Sequence, residues 1–117
     1  MSKRIVRADD ANKIAEHGVS LFSEYDLPFS TFAVGVSEIN GRYPQAGFDV
    51  DDDVEQVWYV VEGSARITLG EDQTEIGTGD MLLVARGTPY IIDGTVKLVV
   101  ASGPPWHAEQ HRHIETL

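Results

Sequence analysis

The sequence of 117 residues has no cysteine, few basic residues and no long apolar run. The absence of cysteine excludes disulfides and thiolate metal sites. No apolar stretch approaches the roughly 20 residues that a membrane-spanning helix needs. The N-terminus begins with basic residues, but no hydrophobic segment follows them, so we expect no secretory signal and predict a cytoplasmic protein.

Basic side chains are outnumbered, with 9 lysines and arginines against 19 aspartates and glutamates and a formal net charge of −10. The basic residues are scattered and form no stripe. Phosphate backbones and anionic membrane surfaces would be repelled by such a chain. We therefore expect no nucleic-acid partner and no membrane partner. The acidity is interpreted chiefly as a source of solubility, with attraction of cationic ligands as the alternative.

The length and a hydrophobic content of 42% predict one globular domain over residues 1–117. A short helix is predicted over residues 8–17, because Asp9 or Asp10 can cap its start and Gly18 can end it. From residue 31 onward, short stretches rich in β-branched and aromatic residues alternate with glycine turns. This spacing is typical of an antiparallel sandwich or barrel.

The barrel is predicted over about residues 31–102, with a tail over 103–117 that follows the Pro104-Pro105 pair. Residues 55–62 form one of its strands, and alternate side chains of a strand share a face. Gln56, Trp58 and Val60 are predicted to point into the barrel, whereas Val57, Tyr59 and Val61 point the other way. Both faces are largely apolar, so the second face is covered either by another part of the chain or by a second subunit.

Two segments carry a family resemblance: GRYPQAGFDVDDDVEQVWYVVEG over 41–63 and GDMLLVARGTPYIIDG over 79–94. They resemble the two sequence motifs of the cupins, which are small barrels built from two antiparallel sheets. The resemblance implies an all-β fold, the cupin double-stranded β-helix or jelly-roll barrel, here with a short N-terminal helix. Cupins commonly pair as dimers through their sheets, so a homodimer is expected.

The family ordinarily holds a metal ion with three histidines and a glutamate, and this chain has other residues at all four positions. Counting back from Gly63 places Gln56 at the glutamate position and Asp51 and Asp49 at two histidine positions. Tyr90 stands at the third histidine position. Such an oxygen-only set suits Mg²⁺ or Ca²⁺ better than iron, nickel or copper. We predict no metal and no cofactor, with a divalent-metal cupin using oxygen ligands as an alternative.

The predicted function is binding of a small polar molecule, sugar-like or a carboxylic acid, inside the barrel. Aromatic walls beside a few polar groups are the usual make-up of such a pocket. The residues expected at its mouth are Asp49, Asp51, Gln56 and Tyr90, with Tyr43, Phe48 and Trp58 as walls. Trp58 and Phe48 also suit a plain hydrophobic core.

Asp49, Asp51 and Tyr90 are the candidate catalytic residues if the protein is an enzyme. Two neighbouring carboxylates do not both ionise easily, so one aspartate would keep a proton near neutral pH and act as an acid. Tyr90 would donate to a developing oxyanion. This chemistry indicates an isomerase, epimerase or lyase. A non-catalytic dimer that senses a metabolite or binds a protein partner is the alternative from another class.

The tail contains His107, His111 and His113, and the last two have the spacing of the cupin histidines at the wrong end of the chain. We interpret the tail as packing across the barrel or a partner, with Trp106 as its anchor. The acidic run over 49–53 begins like an EF-hand loop but lacks the glycine and glutamate that such a loop requires. The five carboxylates within Asp49 to Gln56 are predicted to form a solvated loop at the barrel mouth.

Overall fold

Antiparallel strands make up the computed structural model, which describes residues 4–16 and 18–117. In chain order they are β1 (Asn12–Glu16), β2 (Ser20–Glu24), β3 (Ala33–Tyr43), β4 (Phe48–Asp51), β5 (Glu55–Leu69), β6 (Asp72–Gly77), β7 (Met81–Val84), β8 (Tyr90–Gly103) and β9 (His111–Ile114). Short 3-10 helices lie at Ala8–Asp10 and Ala108–Gln110. The prediction of an all-β fold is confirmed.

The long strand β8 is the centre of the sheet. It pairs with β3 along one edge and with β5 along the other, and its first residue also pairs with β4. β1 and β2 extend the sheet beyond β3, β6 and β7 pair with β5, and β9 pairs with β4. Within residues 4–16 and 18–117, no helix is long and apolar enough to cross a membrane.

The helix predicted over residues 8–17 is wrong, and residue 17 itself lies outside the described residues. Only Ala8–Asp10 form a helical turn, and Asn12–Glu16 form β1 instead. β1 pairs residue by residue with β2, from Asn12 opposite Glu24 to Glu16 opposite Ser20. An isolated helix of ten residues is marginal in water, so the hydrogen bonds of this hairpin override the local capping signals.

The predicted facing of β5 is confirmed. Gln56, Trp58 and Val60 are buried, whereas Tyr59 and Val61 on the opposite face are 41% and 40% exposed. The inward face packs into a core of large apolar and aromatic side chains. Its members include Ile39, Tyr43, Trp58, Val60, Ile67, Tyr90, Ile92 and Leu98.

The first motif glycine, Gly63, has a structural role inside β5. Its φ is +86°, a conformation that L side chains rarely adopt. A Cβ there would also collide with the carbonyl oxygen of Thr95 in β8. Glycine at this position therefore lets the two longest strands approach each other as they curl.

Candidate functional site

Strand β9 brings the tail histidines onto the carboxylates of β4. In the β4–β9 ladder, Asp49 lies opposite His113 and Asp51 opposite His111. Because residues two apart share a face of a strand, these four side chains gather on one side. Asp49 and Asp51 are only 4% and 3% exposed, so the prediction of a solvated loop is wrong for this pair.

His111 lies between the two aspartates. Its Nδ1 is 2.8 Å from Asp51 Oδ1, and its Nε2 is 3.2 Å from Asp49 Oδ2. A carboxylate accepts hydrogen bonds, so the contacts are best satisfied when both ring nitrogens carry hydrogen and the ring is an imidazolium. Burial alone would lower the pKa of His111, but the hydrogen bonds and charges of Asp49 and Asp51 outweigh it and raise the pKa to about 10.

This imidazolium keeps both carboxylates ionised. Burial by itself would raise their pKa values, yet hydrogen bonds from His111 and from other donors lower the pKa of Asp49 and of Asp51 below the usual value. The prediction that one aspartate holds a proton near neutral pH is therefore wrong. The two negative charges do not share a proton, because a cation from the tail stands between them.

The tail also binds Asp51 through two neutral donors. Trp106 Nε1 donates to Asp51 Oδ1 at 2.9 Å, and Gln110 Nε2 donates to the same oxygen at 2.8 Å. The expectation that the tail packs across the barrel with Trp106 as its anchor is thus confirmed. The second oxygen, Oδ2, is buried and has no hydrogen-bond partner among the described residues.

A second contact joins the remaining histidine to Asp49. His113 Nδ1 is 2.9 Å from Asp49 Oδ1, and His113 Nε2 is 3.3 Å from Glu115 Oε1. The hydrogen bond to Asp49 raises the pKa of His113. Unlike Asp49, this ring is half-exposed, and it is more exposed than the ring of His111.

A cavity of about 390 Å³ opens beside these histidines. Its lining residues are Glu16, Pro44, Gln45, Ala46, Asp49, His111 and His113. Arg42 supports its wall, since the guanidinium donates to the carbonyl oxygens of Pro44 at 2.6 Å and Gly47 at 3.2 Å. The cavity is large enough for a small organic molecule.

Some of the predicted site residues line the cavity or contact the histidines, and others lie in the buried core. Asp49 lines the cavity and Asp51 lies behind His111. Tyr90 is buried, and burial together with the charge of Asp51 raises its pKa well above 10.0, so its hydroxyl stays protonated. Tyr43 donates to Glu16 Oε2 at 3.3 Å, and burial and the charge of Asp49 raise its pKa as well.

Gln56 and Trp58 lie in the core beneath the cluster. Trp58 Nε1 donates to Gln56 Oε1 at 2.9 Å, and Gln56 Nε2 donates to Ser102 Oγ at 3.4 Å. The Trp58 ring packs edge-on against Tyr90, with 5.1 Å between ring centroids. The polar atoms of Gln56 are therefore used inside the barrel. Phe48 is partly buried and lies opposite Ile114 in the β4–β9 ladder.

Three of the four family metal positions carry polar atoms that are already hydrogen-bonded or neutral in this chain, while Asp51 Oδ2 keeps its lone pairs. Asp51 Oδ1 already accepts three hydrogen bonds, the Gln56 carbonyl accepts one from Trp58, and Tyr90 is held neutral. A ligand atom must have a lone pair available, and an anionic oxygen is what hard divalent ions prefer. Across the described part of the chain, no three His, Asp or Glu side chains are arranged to hold a metal.

His111, His113 and Gln110 are the residues that sequence reasoning missed as part of the site. The signal was present in the spacing, since His111-Arg112-His113 has the same i, i+2 repeat as Asp49-Val50-Asp51. When β4 and β9 pair antiparallel, each aspartate of one repeat comes to lie opposite a histidine of the other. The sequence does not show which strands pair, so the match becomes apparent only in the fold.

Comparison with known proteins supports the fold alone. No family profile and no curated protein matches the sequence. Among solved structures, Streptomyces PAC13 with uridine is similar at a TM-score of 0.90 and 17% identity, over 98% of this chain and 93% of that chain. PAC13 is described as a nucleoside dehydratase.

Two further structures share this fold, and one of them is a cupin domain. The polyketide cyclase RemF from Streptomyces resistomycificus has a TM-score of 0.73 and 21% identity, over 97% of this chain and 86% of that chain. The cupin domain of Schizosaccharomyces pombe Cnp3 has a TM-score of 0.64 and 17% identity, over 84% of this chain and 72% of that chain. The predicted cupin barrel is confirmed.

Proposed function

We propose that this protein is a metal-independent enzyme that binds a small polar molecule at the barrel mouth and transfers protons on it, as an isomerase, epimerase or lyase. The observation that carries the proposal is the pair formed by Asp49 and His113 at the edge of the 390 Å³ cavity, beside the His111 cation. A carboxylate behind a histidine at a cavity is the arrangement that general acid–base catalysis uses.

His113 is the proposed acid and base. Asp49 accepts the hydrogen of Nδ1 and so fixes the ring, leaving Nε2 to exchange a proton with the substrate. The exposed Glu115 side chain, now at 3.3 Å from Nε2, would move aside for a ligand. The hydrogen bond to Asp49 raises the pKa of His113 and so favours the protonated ring, which is the form that acts as an acid.

His111 has a different role, because both of its nitrogens are engaged by carboxylates. It is a fixed positive charge in the cavity wall that stabilises negative charge developing on a substrate oxygen. Tyr90, which the sequence suggested as a second donor, is buried and is not among the residues that line this cavity. When His113 removes a proton from carbon next to a carbonyl, the electron pair moves toward that oxygen, and the positive charge of His111 stabilises the negative charge that accumulates there.

The similar structures support a small polar ligand. PAC13 is seen with uridine, an uncharged molecule rich in hydroxyl groups, and is described as a dehydratase, which is a lyase. The present cavity offers polar contacts from Glu16, Asp49 and two histidines on its wall. We therefore place nucleosides and sugars first, and carboxylic acids second, among candidate ligands.

The test is a thermal-shift screen of nucleosides, sugars and carboxylic acids, followed by turnover assays of every stabilising compound. His113→Gln should lower kcat by about 100-fold, the size expected when an acid–base group is lost. His107→Gln is the matched control, since His107 contacts exposed Glu109 and lies outside the cavity. Full turnover in His113→Gln would refute the proposed role. Stabilisation without turnover would favour the non-catalytic sensor.

We also propose a homodimer that forms through the outer face of β5 and β7. Four large apolar side chains are exposed there: Tyr59, Val61, Met81 at 65% and Leu83 at 57%. Tyr59 lies opposite Met81 in the β5–β7 ladder, so the exposed side chains are continuous across the two strands. A contiguous apolar patch of this kind marks an association surface more often than a free one.

A further inference from the structure

We infer that Trp106 and Gln110 are positioning residues of the proton-transfer site, which act on His111 through Asp51. The inference rests on the proposed function, because it concerns the same site. Neither residue lines the cavity, and both donate to the Asp51 oxygen that His111 also contacts. Their proposed task is to keep Asp51 ionised and its Oδ1 pointed at His111 Nδ1.

The geometry distinguishes these two residues from ordinary tail contacts. One oxygen of Asp51 accepts from Trp106, Gln110 and His111 at 2.9, 2.8 and 2.8 Å, while the other oxygen has no partner among the described residues. Packing alone would not direct three donors from one segment to a single atom. The crowding fixes the rotation of the carboxylate, and this fixes the direction of the hydrogen bond to His111.

Gln110 is itself held from both ends. Its side-chain nitrogen also donates to the His107 carbonyl at 3.2 Å, and its side-chain oxygen accepts from the backbone nitrogen of Asp53 at 3.1 Å. The side chain is buried, so its orientation does not depend on solvent. Trp106 is partly exposed, and its ring lies 5.5 Å from the His111 ring between centroids, so it contacts both partners of the pair.

The charged and titratable groups that face Asp51 come from three strands. His111 of β9 is the cation. Asp49 lies two residues from Asp51 on β4, and Tyr90 of β8 is neutral. A buried carboxylate beside another carboxylate would ordinarily take up a proton at a higher pH than an exposed one. The neutral donors from the tail oppose that tendency without adding a charge that would compete with His111.

The experiment measures the carboxyl carbon signal of Asp51 and the ring nitrogen signals of His111 by NMR in the whole chain, as functions of pH. No substrate is needed. Two variants remove one donor each: Gln110→Met, which keeps a side chain of similar length, and Trp106→Phe, which keeps a smaller aromatic ring. The matched control is Arg112→Gln, which removes the Arg112–Asp52 ion pair of 2.7 Å on the exposed side of the same tail.

We expect the titration of Asp51 to move up by about one pH unit for each donor removed, with no movement in Arg112→Gln. The His111 ring signals should change with the Asp51 titration in both donor variants. An unchanged Asp51 titration in both variants would overturn the inference, and so would an equal shift in the control, since either result reduces Trp106 and Gln110 to general tail contacts.

The outcome is separable from that of the proposed function. The titrations succeed or fail whether or not a compound is turned over, whereas the proposed function is decided by the turnover of His113→Gln. Trp106→Phe is the decisive variant if Gln110→Met does not fold, because Trp106 is partly exposed and phenylalanine keeps its ring contact with His111.

Discussion

His111 and Asp51 are 60 positions apart in the chain and are joined twice, once as partners in the β4–β9 ladder and once through a side-chain contact of 2.8 Å. The backbone pairing sets the distance at which the side chains meet. The side-chain contact then gives the ladder an ionic component that depends on pH. This double link explains why the stability of the tail and the protonation of the site are coupled.

Stability should be greatest in mildly acidic solution. The pKa of His111 is about 10 in the folded state against 6.5 ordinarily, so its contribution is complete below about pH 6.5 and is lost as the pH rises toward 10. The aspartates have lowered pKa values, so their contribution is complete above their ordinary value of 3.8 and is lost as the pH falls through the folded values. Urea unfolding across pH 3–11 measures the profile. A free energy of unfolding that is flat between pH 6.5 and 10 would contradict it.

His111→Gln should destabilise the protein at neutral pH by about 3 kcal/mol, because it removes the cation from two buried carboxylates. The loss of stability should be smaller at acidic pH, because protonated aspartates are neutral and are no longer stabilised by a neighbouring cation. Urea unfolding at pH 4 and pH 7 gives both numbers. His107→Gln should change stability by less than about 0.5 kcal/mol, as expected for an exposed side chain. Equal losses at the two pH values would exclude an ionic origin.

Gly47→Ala should displace β9 from β4. Gly47 has a φ of +68°, and a Cβ would collide with the Ile114 carbonyl oxygen and lie 2.9 Å from His113 Nε2. Gly70→Ala is the matched control, because Gly70 has a φ of +61° with nothing within 4 Å of its Cβ. We expect Gly70→Ala to cost about 1 kcal/mol from the backbone alone and Gly47→Ala about 2 kcal/mol more. Equal losses in urea unfolding would mean that the tail tolerates a side chain there.

Leu83→Glu should convert the proposed dimer into a monomer, since it places a charge within the exposed apolar face. Light scattering coupled to size exclusion gives the mass of each form. Leu117→Glu is the control, because Leu117 is also exposed but lies outside β5 and β7. A wild-type protein that is monomeric at high concentration would refute the dimer without bearing on the proposed chemistry.

The sequence predicted the barrel well because its signals are local. Glycines such as Gly63 occur at positions with positive φ, and the alternation of side-chain direction along β5 indicates which residues point inward. The helix over 8–17 failed because capping residues compete with a strand partner that local reasoning does not weigh. The prediction of the cluster around Asp51 was incomplete for a related reason. The donors to Asp51 come from a tail segment, and the residues of that segment do not indicate which strand it pairs with.

The β4–β9 link also supplies a natural probe of folding. The segment between Asp51 and His111 contains β5, β6, β7 and β8, so the contact between the two side chains closes a long loop of the chain. The ring N–H protons of His111, protected from exchange when both nitrogens are bonded, would then report the closure of this loop. A single histidine signal would thus follow, in real time, whether a refolding chain has reached its native topology.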